Sequence, residues 1–441
     1  DADIKGRRQQ AGLQEIRADF ENIRQAWLWA LEERQADAFT RAMLDCLTNF
    51  ADMNFSALEA HNLLSQTISA FQPTAEQSPQ PLWEQAVVRQ QEINYILIQP
   101  FDYAQIKVIL ERARARGDTH EMLHCLLVLS NHFFGMRDYG NPANDEALAL
   151  AHVLGDPFYI ARAFNNNAFS RLHDIGHRRE CLRQAAQIRR EIGERCNLCF
   201  SLAQLTACLA EAGAFAEAEQ TLAEAIRVQH EIGKTQVYIA VLAFRAQLAF
   251  WRGELDLAAE LLRTGQAFAG GRIYTGFSYH YPALLSWVAG VRGDYAQGYA
   301  FAQQLADKPW AKTFFMTWRL GWGLTLAHYG LGNAAAARQA LRDVLVLTQH
   351  TLQAPSIQQF CLPLAAVLAE TPERAVELLG LADRAPQGVM GWTAHWPPLA
   401  DLRHKLAAEL GTEQFAAVWK RGARLDLETV VTQLLAELAT A

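Results

Sequence analysis

Residues 120–124 read His-Glu-Met-Leu-His inside the stretch "GDTHEMLHCLLVL". On a helix His120 and His124 share a face, so two imidazoles could ligate one zinc ion while Glu121 activates a metal-bound water. Such a centre needs a third ligand. The continuation with Gly and His is absent, Leu127 and Ser130 standing at those places. The other solution takes a Glu from a following helix, and Glu146 is the candidate for that role. No strand pattern supplies the sheet of a zinc-peptidase cleft, and no metal or cofactor is expected.

Three further motifs carry chemistry. "EIGKTQ" at 231–236 imitates the end of a phosphate-binding loop, but Val228 stands where its first glycine belongs and a helical pattern precedes it. Cys196 and Cys199 form a lone CxxC at a predicted helix start, where the helix dipole could lower a thiol pKa. Without a second pair or a thioredoxin-like strand they read as two buried small residues. "FNNNAF", Phe164–Phe169, offers amides that could bond a peptide backbone as donor and acceptor at once.

The elements that must position these residues are helical. The chain has 441 residues, 51% hydrophobic and 20% charged, with 14 Pro, and Ala, Leu, Gln, Glu and Arg dominate from residue 140 onward. Its net charge of −7 disfavours direct nucleic-acid binding. No apolar run reaches the roughly 18–20 residues needed to span a bilayer, and "DADIKGRRQQ" lacks a signal-peptide core, so the expected compartment is the cytoplasm and no membrane partner is expected. Seven scattered Cys fit reduced thiols. The absence of an initiator Met points to a piece of a longer polypeptide.

A repeat near forty residues organises the chain. Four segments align on Gly213, Gly253, Gly293 and Gly332, spaced 40, 40 and 39 apart, and a fifth aligns on Gly176. A second series, Gly117, Gly155, Gly193 and Gly233, closes the second helix of each unit. Apolar or small residues follow the turn at offsets 2, 5, 9 and 12, as in Phe215, Ala218, Leu222 and Ala225 or Leu255, Ala258, Leu262 and Gly265. In this register His120 and His124 fall over Phe158 and Arg162, ordinary positions at the start of a first helix.

These packing positions resemble the tetratricopeptide pattern, with each helix pair longer than in the usual unit of that family. "LQEIRADFENIRQAWLWALE", Leu13–Glu32, resembles the helix that follows the winged-helix segment in bacterial signal-transduction ATPases with numerous domains, and Leu402–Leu435 resembles the end of the repeat region in those proteins and in related large ATP-binding transcription regulators. The resemblance implies an all-α, right-handed superhelix of about nine or ten helix pairs with a period of about 40 residues. It divides into N-terminal capping helices (1–72), a repeat superhelix (73–349) and degenerate C-terminal repeats (350–441). It also implies a non-enzymatic sensor that binds a small-molecule or peptide inducer, regulates the upstream nucleotide-binding module of the same polypeptide and takes protein partners. The alternatives are a peptide-binding or scaffolding repeat domain and, distantly, a zinc-dependent hydrolase built on His120, Glu121 and His124.

Aromatic residues concentrate between Tyr274 and Tyr329, at well over twice the chain average of 10%. Stepping back from each turn glycine places Asn166, Ser170, His173, Asp174, Gln247, Trp251, His280, Trp287, Arg319, Trp322 and Tyr329 toward the concave groove, a ligand wall of aromatic faces and hydrogen-bonding groups. Phe314, Phe315 and Tyr295 read as space-filling.

Overall fold

The computed structural model describes residues 1–54, 56–74, 79–97, 99–130, 142–171, 174–233, 236–269, 280–306, 314–351, 357–385 and 390–439. Among them every regular element is helical, and 22 α-helices pack in consecutive neighbouring pairs with no strand. The first eight are α1 (Gln9–Glu32), α2 (Arg41–Asn54), α3 (Ala57–Ala70), α4 (Pro81–Leu97), α5 (Tyr103–Arg116), α6 (Thr119–Ser130), α7 (Pro142–Leu154) and α8 (Pro157–Asn167). There follow α9 (Ile175–Ile192), α10 (Arg195–Glu211), α11 (Phe215–Ile232), α12 (Gln236–Trp251), α13 (Leu255–Phe268), α14 (His280–Val291), α15 (Tyr295–Ala306), α16 (Phe314–Gly330) and α17 (Ala334–Thr351). A π turn (Ile357–Cys361) leads to α18 (Leu362–Leu368) and α19 (Pro372–Ala382), then a 3-10 turn (Gly391–His395), α20 (Pro397–Leu410), α21 (Thr412–Gly422) and α22 (Leu427–Glu437). No helix among the described residues is long and apolar enough to cross a membrane.

Helix starts show two spacings. α4, α6, α8 and α10 begin at residues 81, 119, 157 and 195, steps of 38. α9, α11, α13, α15 and α17 begin at 175, 215, 255, 295 and 334, steps of 40, 40, 40 and 39. The turn glycines explain the second series: Gly213 and Gly253 take φ of +77° and +80°, a left-handed conformation that ends one helix two residues before the next begins. Gly176 does not play this role. It lies inside the first turn of α9, which Asp174 caps by accepting from His177 N at 2.8 Å, so the alignment on Gly176 is displaced by three residues.

Second helices are amphipathic and bury one stripe: α11 buries Ala218, Leu222, Ala225 and Val228, and α13 buries Leu255, Ala258, Leu262 and Gly265. α14 and α16 are apolar all round and therefore need cover on both sides; all twelve residues of α14 are buried. One side is covered by the second helices, the other by the returning C-terminal segment. Gly265 shows how tight the first contact is, since a side chain there would collide with the Tyr281 ring, whose hydroxyl donates to Ile239 O at 2.6 Å.

Three apolar clusters hold the chain together. One joins α1–α4 around Trp27, Leu44, Leu63 and Ile93. Another inserts Ile4 among Phe50, Val88, Leu126 and Tyr159. A third contains described residues from Ala168 to Leu438, and so joins Leu345 and earlier residues to Ile357 and later ones.

Candidate functional site

The HEMLH turn lies at the start of α6. Asp118 caps that helix, accepting from Glu121 N at 3.1 Å, and is held in turn by Arg41 Nη2 at 2.6 Å. The 38-residue stepping of first helices brings the start of α6 between α4 and α8, so its polar residues meet polar residues of those helices and of α2.

The result is a buried ion-pair network. Arg89 of α4, fully buried, donates from Nε to Asp45 Oδ1 at 2.9 Å and from Nη1 to both oxygens of Glu121 at 2.8 and 3.0 Å. Glu92, one turn further along α4, accepts from Arg162 Nη2 at 2.7 Å and meets His124 Nδ1 at 2.6 Å. The other His124 nitrogen lies 3.1 Å from the Tyr159 hydroxyl. Lys5 stands over the Tyr159 ring, donates to its hydroxyl at 3.4 Å and pairs with Asp1 at 2.5 Å. Burying so many charges is tolerable only because each has a partner, and removing one partner would strand another.

The electrostatics follow from this packing. Burial alone would raise the Asp45 and Glu92 carboxyls, but His124 and Arg89 beside Asp45, and Arg162 and His124 beside Glu92, outweigh it and hold both below the ordinary range. Burial, reinforced by His124, pushes His120 down to about 4. Burial raises the Tyr159 hydroxyl, so it remains a phenol at neutral pH.

Arg162 links the network electrostatically to Asp52, Tyr95 and Arg189. Asp52 is exposed to solvent, within electrostatic reach of Arg162, Glu194, Glu92 and Arg189. Burial raises Tyr95, with Asp52 the next influence. Of these groups Asp52 is exposed and Tyr95 and Arg162 are half-buried, whereas Arg189 is buried and donates to Asn165 Oδ1 and Ser201 Oγ.

The N-terminal segment crosses to the start of α10. Gln9 is buried; its Nε2 donates to Glu194 Oε1 at 2.7 Å and to Ile4 O at 2.9 Å, and its Oε1 accepts from the N–H groups of Arg195 and Cys196, both at 2.9 Å. It thus satisfies two of the orphan donors at the start of α10, while Glu194 accepts from Asn197 N at 2.9 Å. Gln10 donates to Glu231 O at 2.6 Å.

The structure revises several expectations. Glu146 is not with the histidines: it is exposed on α7 and bonded through both oxygens to Arg114 at 2.5 and 2.6 Å. The third donor beside His120 and His124 is Asp45, which α2 brings in from far earlier in the chain. Glu121 is locked by Arg89 and fully buried, so it cannot serve as a general base. Burial pushes the Cys196 and Cys199 thiols up, the latter to about 12, the opposite of an activated CxxC, and Cys199 Sγ donates to Ala225 O. All seven cysteines are free. Lys234 and Thr235 of the phosphate-loop mimic lie outside the described residues.

The sequence-derived groove set divides in two. Asn166 donates to Ser130 Oγ at 2.9 Å, bridging α8 to α6, and its neighbour Asn165 is spent between Gln204, Arg189 and Ser201. Ser170 bonds back to Asn167 at 2.7 Å, Asp174 is the α9 cap, and His173 lies outside the described residues. The other members sit in or beside a packed interior. Trp251, Trp287 and Trp322 are only 2%, 1% and 2% exposed, and Gln247, His280 and Arg319 are also buried.

That interior is aromatic. Phe360 of the π turn stacks on Trp322 with centroids 3.9 Å apart and planes 16° from parallel; Trp392 stacks on Phe360 at 5.6 Å; Trp287 lies 5.0 Å from Trp322 and donates from Nε1 to Arg319 O at 2.8 Å. Tyr329 packs edge-on to Trp396 at 5.6 Å. The aromatic wall is therefore covered by residues 357–361 and 391–396 instead of lining an open groove. Of the three expected fillers, Tyr295 lies against Gly330, and the side chains of Phe314 and Phe315 are outside the described residues.

Sequence reading missed Asp45, Arg89, Glu92, Tyr159 and Arg162. One signal was available: α4, "PLWEQAVVRQQEINYIL", buries twelve of its residues, Glu84, Arg89 and Glu92 among them, and charged residues on a helix buried that widely require charged neighbours. No protein-family model matches the chain, and no curated protein matches it.

Proposed function

We propose that this chain is the sensor and arm region of a signal-transduction ATPase: a right-handed superhelix of tetratricopeptide-like helix pairs that binds an inducer on its inner wall and regulates an upstream nucleotide-binding module. The role is non-enzymatic, in keeping with a Glu121 held by Arg89 on both carboxylate oxygens. The observation that carries the reading is the clasp at Gln9. The N-terminal segment is bonded to the start of α10 through Glu194, which acts electrostatically on Asp52. A ligand seated beside Asp52 and Arg162 would bias the position of the N-terminal segment if it favoured one arrangement of these residues over another, since only differential affinity shifts an equilibrium.

The exposed carboxylate of Asp52, with the half-buried Tyr95 and Arg162 near it, suits a polar inducer bearing both donors and acceptors. A peptide clamp of the kind tetratricopeptide repeats build from asparagines lacks support, because Asn165 and Asn166 are committed to neighbouring helices. The test is a thermal-shift screen of sugars, nucleotides and short peptides, repeated on Asp52→Ala. A true inducer stabilises the wild-type chain, and Asp52→Ala loses that response while keeping its far-ultraviolet circular dichroism. An equal response in both proteins would remove the Asp52 assignment.

A further inference from the structure

Donors from two helices converge where α6 meets α2. His120 and His124 stand one turn apart with ring centroids at 4.9 Å, and Asp45 reaches between them. Asp45 Oδ2 lies 3.4 Å from His120 Nε2, and Oδ1 lies 3.6 Å from His124 Nε2. One donor atom from each of the three residues falls within 4.8 Å of the other two.

These separations are too long for charge-assisted hydrogen bonds, which run about 2.7–2.9 Å. They match a different geometry. Zinc bonds of about 2.0–2.1 Å to imidazole nitrogen and carboxylate oxygen place neighbouring donors of a tetrahedral centre about 3.3–3.4 Å apart.

Two of the three donors are held by neighbouring side chains. Glu92 Oε1 sits 2.6 Å from His124 Nδ1, an orientation that sets Nε2 between the Tyr159 hydroxyl at 3.1 Å and Asp45 Oδ1 at 3.6 Å; ligating histidines characteristically use their second nitrogen in this way. Asp45 is itself oriented by Arg89 Nε at 2.9 Å, which leaves Oδ2 facing His120.

We propose that Asp45, His120 and His124 form a binding site for a zinc-class divalent ion, with Glu92 as the residue that positions His124. Two imidazoles and a carboxylate select for such an ion over magnesium or calcium, which prefer all-oxygen shells. The ion clasps α2 to α6, elements with three other helices between them in the chain. It does so without hydrolytic chemistry, because Glu121, the residue that would deprotonate a bound water, is held by Arg89. This assignment does not depend on the sensor reading.

The experiment uses the full chain, free of affinity tags and stripped with a chelator, then titrated with Zn²⁺ by calorimetry and with Co²⁺ by visible absorption. The expected result is one saturable site per chain, the ligand-field bands of a low-symmetry Co²⁺ centre, and a raised unfolding temperature. His120→Ala, at a side chain that is 25% exposed, keeps its helicity and loses at least about 100-fold in Zn²⁺ affinity. Asp45→Asn loses affinity to a similar degree, and Glu92→Gln weakens binding about 10–100-fold while preserving the stoichiometry. Absence of saturable binding by the wild-type chain, or wild-type affinity in both His120→Ala and Asp45→Asn, overturns the site.

Discussion

Replacing Gln9 with alanine is the most informative single perturbation of this fold, because one side chain joins segments 185 residues apart. The substitution withdraws the acceptor used by the Arg195 and Cys196 amides and the donor received by Glu194. Glu194 keeps its bond from Asn197, so its loss is partial, but the two amides at the start of α10 are left to whatever water can enter. Each buried donor stranded in this way costs about 1–3 kcal/mol, and partial hydration brings the sum to about 2–4 kcal/mol. Gln9→Glu separates the contributions: it keeps an acceptor for the amides but sets a carboxylate against Glu194, and so should do no better than alanine.

Urea denaturation reads the total, and hydrogen exchange of the Arg195–Asn197 amides reads the site, since local opening is reported there before global unfolding. A loss of about 2.7 kcal/mol corresponds to roughly 100-fold faster exchange. If Gln9→Ala leaves stability within about 0.5 kcal/mol of wild type and exchange at Arg195–Asn197 unchanged, the clasp contributes nothing and the coupling built on it fails.

Two other perturbations follow from the interior. Trp322→Ala removes a ring stacked on Phe360 and should destabilise by about 3–5 kcal/mol with loss of near-ultraviolet circular dichroism; a variant as stable as wild type would mean that the ring stands on an open wall after all. Burial, with Arg319 adding to it, holds His280 well below its ordinary value of 6.5, so the unfolded chain takes up a proton below that pH which the native state refuses. Stability from this residue is thus complete above about pH 6.5 and falls with decreasing pH by at most about 1.4 kcal/mol per unit. His280→Phe should flatten the wild-type stability profile between about pH 6.5 and 5, and an identical slope in the two proteins would show that His280 titrates normally.

Much of the architecture is local and was legible residue by residue. Turn glycines such as Gly213 and Gly253 mark helix ends because few other residues take their backbone conformation without strain, and the 2, 5, 9, 12 spacing in α11 and α13 names the faces those helices bury. The pairing of His120 with His124 was equally local, being one helical turn.

What covers each buried face was decided only in three dimensions. α14 and α16 are apolar on every side, so their sequences demand cover without naming it, and tertiary folding supplied Phe360 and Trp392 from beyond the repeats. The same holds for charge. A carboxylate at position 45 carries no local sign that it will meet Arg89 and two histidines, and nothing near Gln9 announces the start of α10. Periodicity specifies faces and turns through short-range sterics; complementarity between distant polar groups arises only when the packed helices bring them within bonding distance.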